Sequence, residues 1–125
     1  MLIVEDSPRI LGFLLESFHS EACYTHIATA ATEHDAQRLL KESQRFDIAI
    51  IDIQLTQGTG FEVIKAVRTS LSNAAYLIVL TNHATPFYAQ VALGLGADEF
   101  LDKSKDFQKI QKLIQARFPQ SIKQT

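Results

Sequence analysis

Phe46-Asp47-Ile48-Ala49-Ile50-Ile51-Asp52-Ile53-Gln54-Leu55-Thr56-Gln57-Gly58-Thr59-Gly60 is the stretch that decides how this chain is read. An Ile-rich apolar run bounded by turn residues predicts a strand buried on both faces. The run stops at one carboxylate, Asp52, and a loop with two glycines follows. Asp52 therefore stands at the carboxyl end of a central strand, where open α/β sheets place their ligands. A reactive or metal-binding role for Asp52 is expected, with partners brought by other strands.

Working outward, Leu2-Ile3-Val4 is a short apolar strand that runs into Glu5-Asp6. Ser7-Pro8 then reads as N-cap and first helical residue, and Leu11, Leu14, Leu15 and Phe18 form one apolar helical stripe. Tyr24 to Ala28 alternates as an edge strand would. Thr32 opens a second helix to about Glu42, with Ala36, Leu39 and Leu40 inward. Gly58 to Gly60 lead into a third helix carrying Phe61, Ile64, Val67 and Leu71. Tyr76 to Leu80 is a fully apolar strand ending at Thr81, and Thr85-Pro86 starts a helix that ends near Gly94-Leu95-Gly96. Glu99-Phe100-Leu101 is a short strand reaching Asp102-Lys103. Phe107, Ile110, Leu113, Ile114 and Phe118 mark the last helix, which Pro119 stops.

Five strands alternating with five helices predict an α/β fold with a parallel, doubly wound sheet. The first, third and fourth strands are the most apolar and should be central, which favours the order 2-1-3-4-5 and a switch point between strands one and three. Residues 1–119 are expected to form one domain and 120–125 a tail.

The totals narrow the function classes. The 125 residues are 46% hydrophobic and 21% charged, the balance of an ordinary globular domain. A net charge of -2 and a pI near 6.0 give no electrostatic reason for direct nucleic-acid binding. The single cysteine, Cys23, cannot close an internal disulfide, so a cytoplasmic location is expected, with Cys23 as a small buried residue. No apolar run approaches the ~20 residues of a spanning helix, so no membrane role is expected. The chain enters its first strand almost at once, as expected of a trimmed chain or one with a very short leader.

Right-handed crossovers bring all the strand ends to one edge, gathering Glu5, Asp6, Asp52, Thr81 and Lys103. Three close carboxylates repel one another, so some hold protons or a cation sits among them. Oxygen donors without a His or Cys cluster favour a hard ion, magnesium before calcium because few protein ligands are on offer. Three carboxylates, one divalent ion and one ammonium sum to zero charge. That balance matters for a visiting phosphoryl group. Two unit charges about 4 Å apart interact by about 4 kcal/mol at an effective dielectric of about 20, enough for an uncompensated acidic cleft to exclude it. With compensation, Asp52 is the natural nucleophile, Lys103 balances one phosphoryl oxygen and the Thr81 hydroxyl donates to another.

Glu5-Asp6, Asp52 with its downstream Gly60, Thr81, Phe100 and Lys103, in this order and at these intervals, resemble the receiver domains of two-component response regulators over essentially the whole chain. The resemblance implies a phosphoacceptor and not a classical enzyme: Asp52 takes a phosphoryl group from a phosphohistidine on a sensor histidine kinase or phosphotransfer protein. It implies Mg2+ held by Asp6, Asp52 and the Gln54 backbone carbonyl, and through water by Glu5. Thr81 and Phe100 form the switch, while Gln54 and His83, each two residues past a key group, tune the lifetime of the phosphoryl. The face of the fourth helix, fifth strand and fifth helix carries the signal to an output domain or a second copy.

Two positions depart from the common family pattern. Thr56 stands where many receivers have proline, and Ser104 follows the lysine where many have proline after a cis peptide. A cis bond before a non-proline residue costs roughly 2.5–4 kcal/mol, so a trans bond is expected at Ser104.

Taken singly, each of these residues has an ordinary structural explanation, Asp6 as part of a helix cap and Phe100 as core. Their convergence on the ends of strands one, three, four and five carries the functional reading. The four histidines, His19, His26, His34 and His83, lack metal-ligand spacing and read as surface residues, with His83 the exception because it lies two residues past Thr81. Three competing functions are weaker. An aspartyl-phosphate hydrolase of the haloacid-dehalogenase type usually has a second Asp where this chain has Gln54. A flavodoxin-like FMN binder needs a Ser/Thr-rich loop where this chain has Glu5-Asp6-Ser7-Pro8. An unphosphorylated docking receiver would not require the intact acid, hydroxyl and lysine set.

Overall fold

Ile48–Ile51 forms a four-residue strand, β3, at the centre of a five-stranded parallel sheet. A computed structural model describes residues 1–19, 26–42, 46–70 and 75–118. Cys23, Tyr24, Leu71, Pro119 and the 120–125 tail lie outside the described residues, as does the side chain of His19. The elements run β1 (Leu2–Val4), α1 (Pro8–His19), β2 (Ala28–Ala30), α2 (Glu33–Glu42), β3, α3 (Gly60–Ser70), β4 (Tyr76–Thr81), α4 (Pro86–Gly94), β5 (Glu99–Asp102) and α5 (Lys109–Arg117). The strand order is 2-1-3-4-5, as the distribution of apolar runs predicts.

Because strand side chains alternate between faces, the central strands feed two separate cores. Leu2, Val4, Ala49, Ile51, Leu77 and Val79 pack with Ala36 and Leu40 of α2, Val63, Ile64 and Val67 of α3 and Ala92 of α4. Ile3, Ile48, Ile50, Ile78 and Leu80 face the other way, onto Leu14 and Phe18 of α1 and Ile110 and Ile114 of α5. The consecutive apolar runs of β1, β3 and β4 follow from this: a strand covered on both faces has no solvent side.

The helix starts form as their sequences dictate. Ser7 Oγ accepts the Ile10 N–H at 3.4 Å, Thr32 Oγ1 that of Asp35 at 3.1 Å, and Thr85 Oγ1 that of Tyr88 at 3.1 Å. Two boundaries differ from expectation. The edge strand, expected over Tyr24–Ala28, is Ala28–Ala30, because β1 sets its register: the Ala28 N–H donates to the Met1 carbonyl and the Glu5 N–H to the Ala30 carbonyl, both at 2.9 Å. The last helix begins at Lys109, leaving Phe107 in the preceding turn, where it still packs against the α1/α5 core.

Candidate functional site

Parallel strands in this register bring their carboxyl ends to one edge. Val4 is level with Ile51, and Ile51 with Val79. The residues that follow, Glu5 and Asp52, therefore leave the sheet side by side, with the Asp52 N–H donating to the Val4 carbonyl at 2.9 Å. One carboxylate oxygen each of Glu5, Asp6 and Asp52 lies within 4.8 Å of the others. Glu5 and Asp52 are 3% and 5% exposed, a burial that isolated carboxylates do not tolerate.

Lys103 resolves the charge. Its Nζ sits 2.9 Å from Glu5 Oε1 and 2.9 Å from Asp52 Oδ2, with only 6% of the side chain exposed. Burial pulls the Lys103 ammonium down, but its hydrogen bonds to Glu5 and Asp52 and their charges outweigh that, and it titrates above its ordinary value. Burial raises the Glu5 carboxyl above the usual carboxylate range, against the opposing hydrogen bonds from Lys103 and the Ser7 N–H and with some help from the Asp52 charge.

Backbone donors complete the pocket. Asp52 Oδ1 accepts the Gln54 N–H at 3.0 Å, and Thr81 Oγ1 accepts the His83 N–H at 3.1 Å, two matching turns in which a side chain captures the amide two residues on. Thr81 is fully buried, and its carbonyl accepts the Lys103 N–H at 2.9 Å, tying the end of β4 to the lysine. Gln54 and His83 are exposed at the rim, as are His26 and His34. Phe100 is half-buried against the α2/α3/α4 core, level with Val79.

The sequence-predicted acids and lysine thus meet in one cleft with Thr81 at its edge. An all-oxygen set of three carboxylates suits a hard divalent cation in the way expected. Several supports carried no sequence signal of their own. Asp6 Oδ2 accepts both the backbone N–H of Thr56, at 2.6 Å, and the Thr56 hydroxyl. Glu33, in the first turn of α2, accepts the Thr59 N–H at 2.9 Å and so holds the far side of the same loop. Around Lys103, Asp102 Oδ1 accepts both the N–H and hydroxyl of Ser104, at 2.8 and 2.7 Å, and Asp106 Oδ2 accepts the Asp102 N–H at 3.0 Å. The peptide before Ser104 is trans, as expected.

The response regulator receiver domain model matches residues 1–115. The photosynthetic apparatus regulatory protein RegA of Rhodobacter capsulatus is 27% identical over 117 residues, which cover 94% of this chain and 61% of that protein. The chain thus spans less than two thirds of that curated relative. A response regulator from Burkholderia pseudomallei, solved with a phosphorylated aspartic acid, calcium ion and citrate, superimposes with a TM-score of 0.78 at 22% identity, covering 93% of this chain and 70% of its own. The receiver domain of sensor histidine kinase PA1611 from Pseudomonas aeruginosa PAO1, solved with magnesium in its active-site cleft, gives 0.76 at 23%, covering 92% and 93%. A family match running from the first residue through all five strands, over a cleft assembled at the ends of those strands, leads to one conclusion: this chain belongs to the receiver domains of response regulators.

Proposed function

We propose that Asp52 is the phosphoacceptor and that the chain works as a phosphorylation-controlled switch. The observation that carries this is the Asp52 carboxylate itself. It is buried, grouped with two other acids, and already hydrogen-bonded to Lys103, a cation able to balance an incoming phosphoryl oxygen. A carboxylate oxygen of Asp52 attacks the phosphorus of a phosphohistidine on a sensor histidine kinase or phosphotransfer protein. The P–N bond breaks, the imidazole departs, and an acyl phosphate remains. Asp6, Asp52 and the Gln54 carbonyl would hold Mg2+, with Glu5 reaching it through water. The ion would supply charge neutralisation at the phosphoryl oxygens. Lys103 meets one phosphoryl oxygen and the Thr81 hydroxyl another, while Gln54 and His83 at the rim control the approach of water.

The output follows from Thr81, which ends β4, and Phe100, which lies on the neighbouring β5 level with Val79. The hydroxyl moves toward the phosphoryl, the ring turns inward, and the face of α4, β5 and α5 changes toward an output domain or a second copy. The reading takes residues 1–119 as the receiver unit and a cytoplasmic setting. Among the described residues no helix is long and apolar enough to cross a membrane.

The test uses Mg2+ and acetyl phosphate as donor, read by intact-mass spectrometry. The expected result is one added phosphoryl group, absent from Asp52→Asn and abolished by excess chelator. No adduct on a folded wild-type chain points to a docking role, and sustained turnover of a phosphate ester points to a hydrolase.

A further inference from the structure

Asp6 is only half-buried, so packing alone does not fix its carboxylate. Thr56, 50 residues away, holds it through the backbone N–H at 2.6 Å and the hydroxyl, both on Oδ2. Hydrogen bonds to an ionised acceptor are the strong kind. Two donors on one oxygen fix the side-chain rotation and leave Oδ1 outside the pair. The contact also joins the loop after β1, which carries Glu5 and Asp6, to the loop after β3, which follows Asp52. On its other side that second loop is anchored by Glu33, through the Thr59 N–H. Proline at 56 would carry neither donor, since it has no N–H and no hydroxyl.

We propose that Thr56 is a positioning residue that pre-sets the Asp6 carboxylate for a divalent cation and locks the two ligand-bearing loops together before the ion arrives. The proposal rests on the reading of Glu5, Asp6 and Asp52 as a cation site. Ordering a mobile carboxylate and two loops otherwise draws on binding energy, and a partner behind the ligand removes that cost in advance. The chain thus builds from a threonine a rigidity that its sequence does not obtain from proline.

Mg2+ titration calorimetry on the full chain tests this, alongside the Mg2+ dependence of acetyl-phosphate labelling. Thr56→Ser, which keeps both donors, should bind like wild type. Thr56→Val, which loses only the hydroxyl, should bind several-fold more weakly, and Thr56→Pro, which loses both, about tenfold more weakly. The half-saturating Mg2+ concentration for labelling should rise by the same factors while the rate at saturating Mg2+ stays put, a split that a merely structural role would not produce. If Thr56→Val and Thr56→Pro match or exceed wild-type affinity, the positioning role is overturned while the cation site stands. Should Thr56→Pro fail to fold, Thr56→Val alone decides. If wild type binds no Mg2+, the cation site falls, and the role of Thr56 with it.

Discussion

Gly60 shows how closely the backbone behind Asp52, the proposed acceptor, is packed. A Cβ added there would run into the Asp52 carbonyl oxygen and lie 2.5 Å from Ile53 Cα. Both are backbone atoms that cannot swing aside, and the Gly60 N–H is itself committed to the Ile53 carbonyl at 3.1 Å. Gly60→Ala should therefore destabilise the fold by about 1–3 kcal/mol, the usual range for overpacking, as read from urea unfolding. It should also slow the proposed phosphorylation, because the strain falls on Asp52, the proposed acceptor. Gly58 nearby has φ +88, a conformation side chains rarely adopt, so both glycines of the opening stretch are there for the backbone. Their presence was plain in the sequence, but the direction of their contacts was not.

Among the elements, α3 does more than cover the sheet. Arg68 near its end donates to the Gly96 carbonyl from Nε at 2.9 Å and Nη2 at 2.6 Å, and to the Ala75 carbonyl from Nη1 at 2.8 Å. It also pairs with Asp98 at 3.1 Å, whose carboxylate accepts the Leu77 N–H at 2.9 Å. One guanidinium thus satisfies the entries to β4 and β5 together. Arg68→Met should cost roughly 1–3 kcal/mol by urea unfolding, the scale for charged hydrogen bonds and stranded acceptors. Arg68→Lys should recover little of it, because an ammonium cannot span the fork. Periodicity located α3 and its apolar stripe but was silent on this residue, which reads as an ordinary basic end to a helix. The edge strand shows the opposite limit. Ala28-Thr29-Ala30 has little strand character of its own, and pairing with β1 made it a strand where alternation had pointed upstream.

For the molecule as a whole, the buried charge cluster couples folding to pH. Lys103 holds its proton to higher pH folded than unfolded, so its contribution to stability is fully present below 10.5 and is lost as pH rises through the raised folded value. Glu5 acts in the same sense at the acid end: its folded value is raised, so its contribution is fully present below 4.5 and is lost as pH rises through the raised folded value. Urea unfolding in chelator should show wild type more stable than Lys103→Met, by a gap that holds from neutral pH to near 10.5 and narrows above it. A gap that widens with alkalinity would contradict the bridge from Lys103 to Glu5 and Asp52.

By itself the sequence determined the architecture and which polar residues stand at the strand ends. Apolar runs covered on both faces, proline-led helix starts and acids at strand ends are local signals, set by burial and by backbone chemistry within a few residues. The tertiary structure alone decided which side chains meet. Lys103 reaches Asp52 across 51 residues, Thr56 reaches Asp6 across 50, and Arg68 reaches Gly96 across 28. The reason is physical: a polar contact needs its atoms within about 3 Å, and helix and strand periods say nothing about distances that crossovers and sheet register impose.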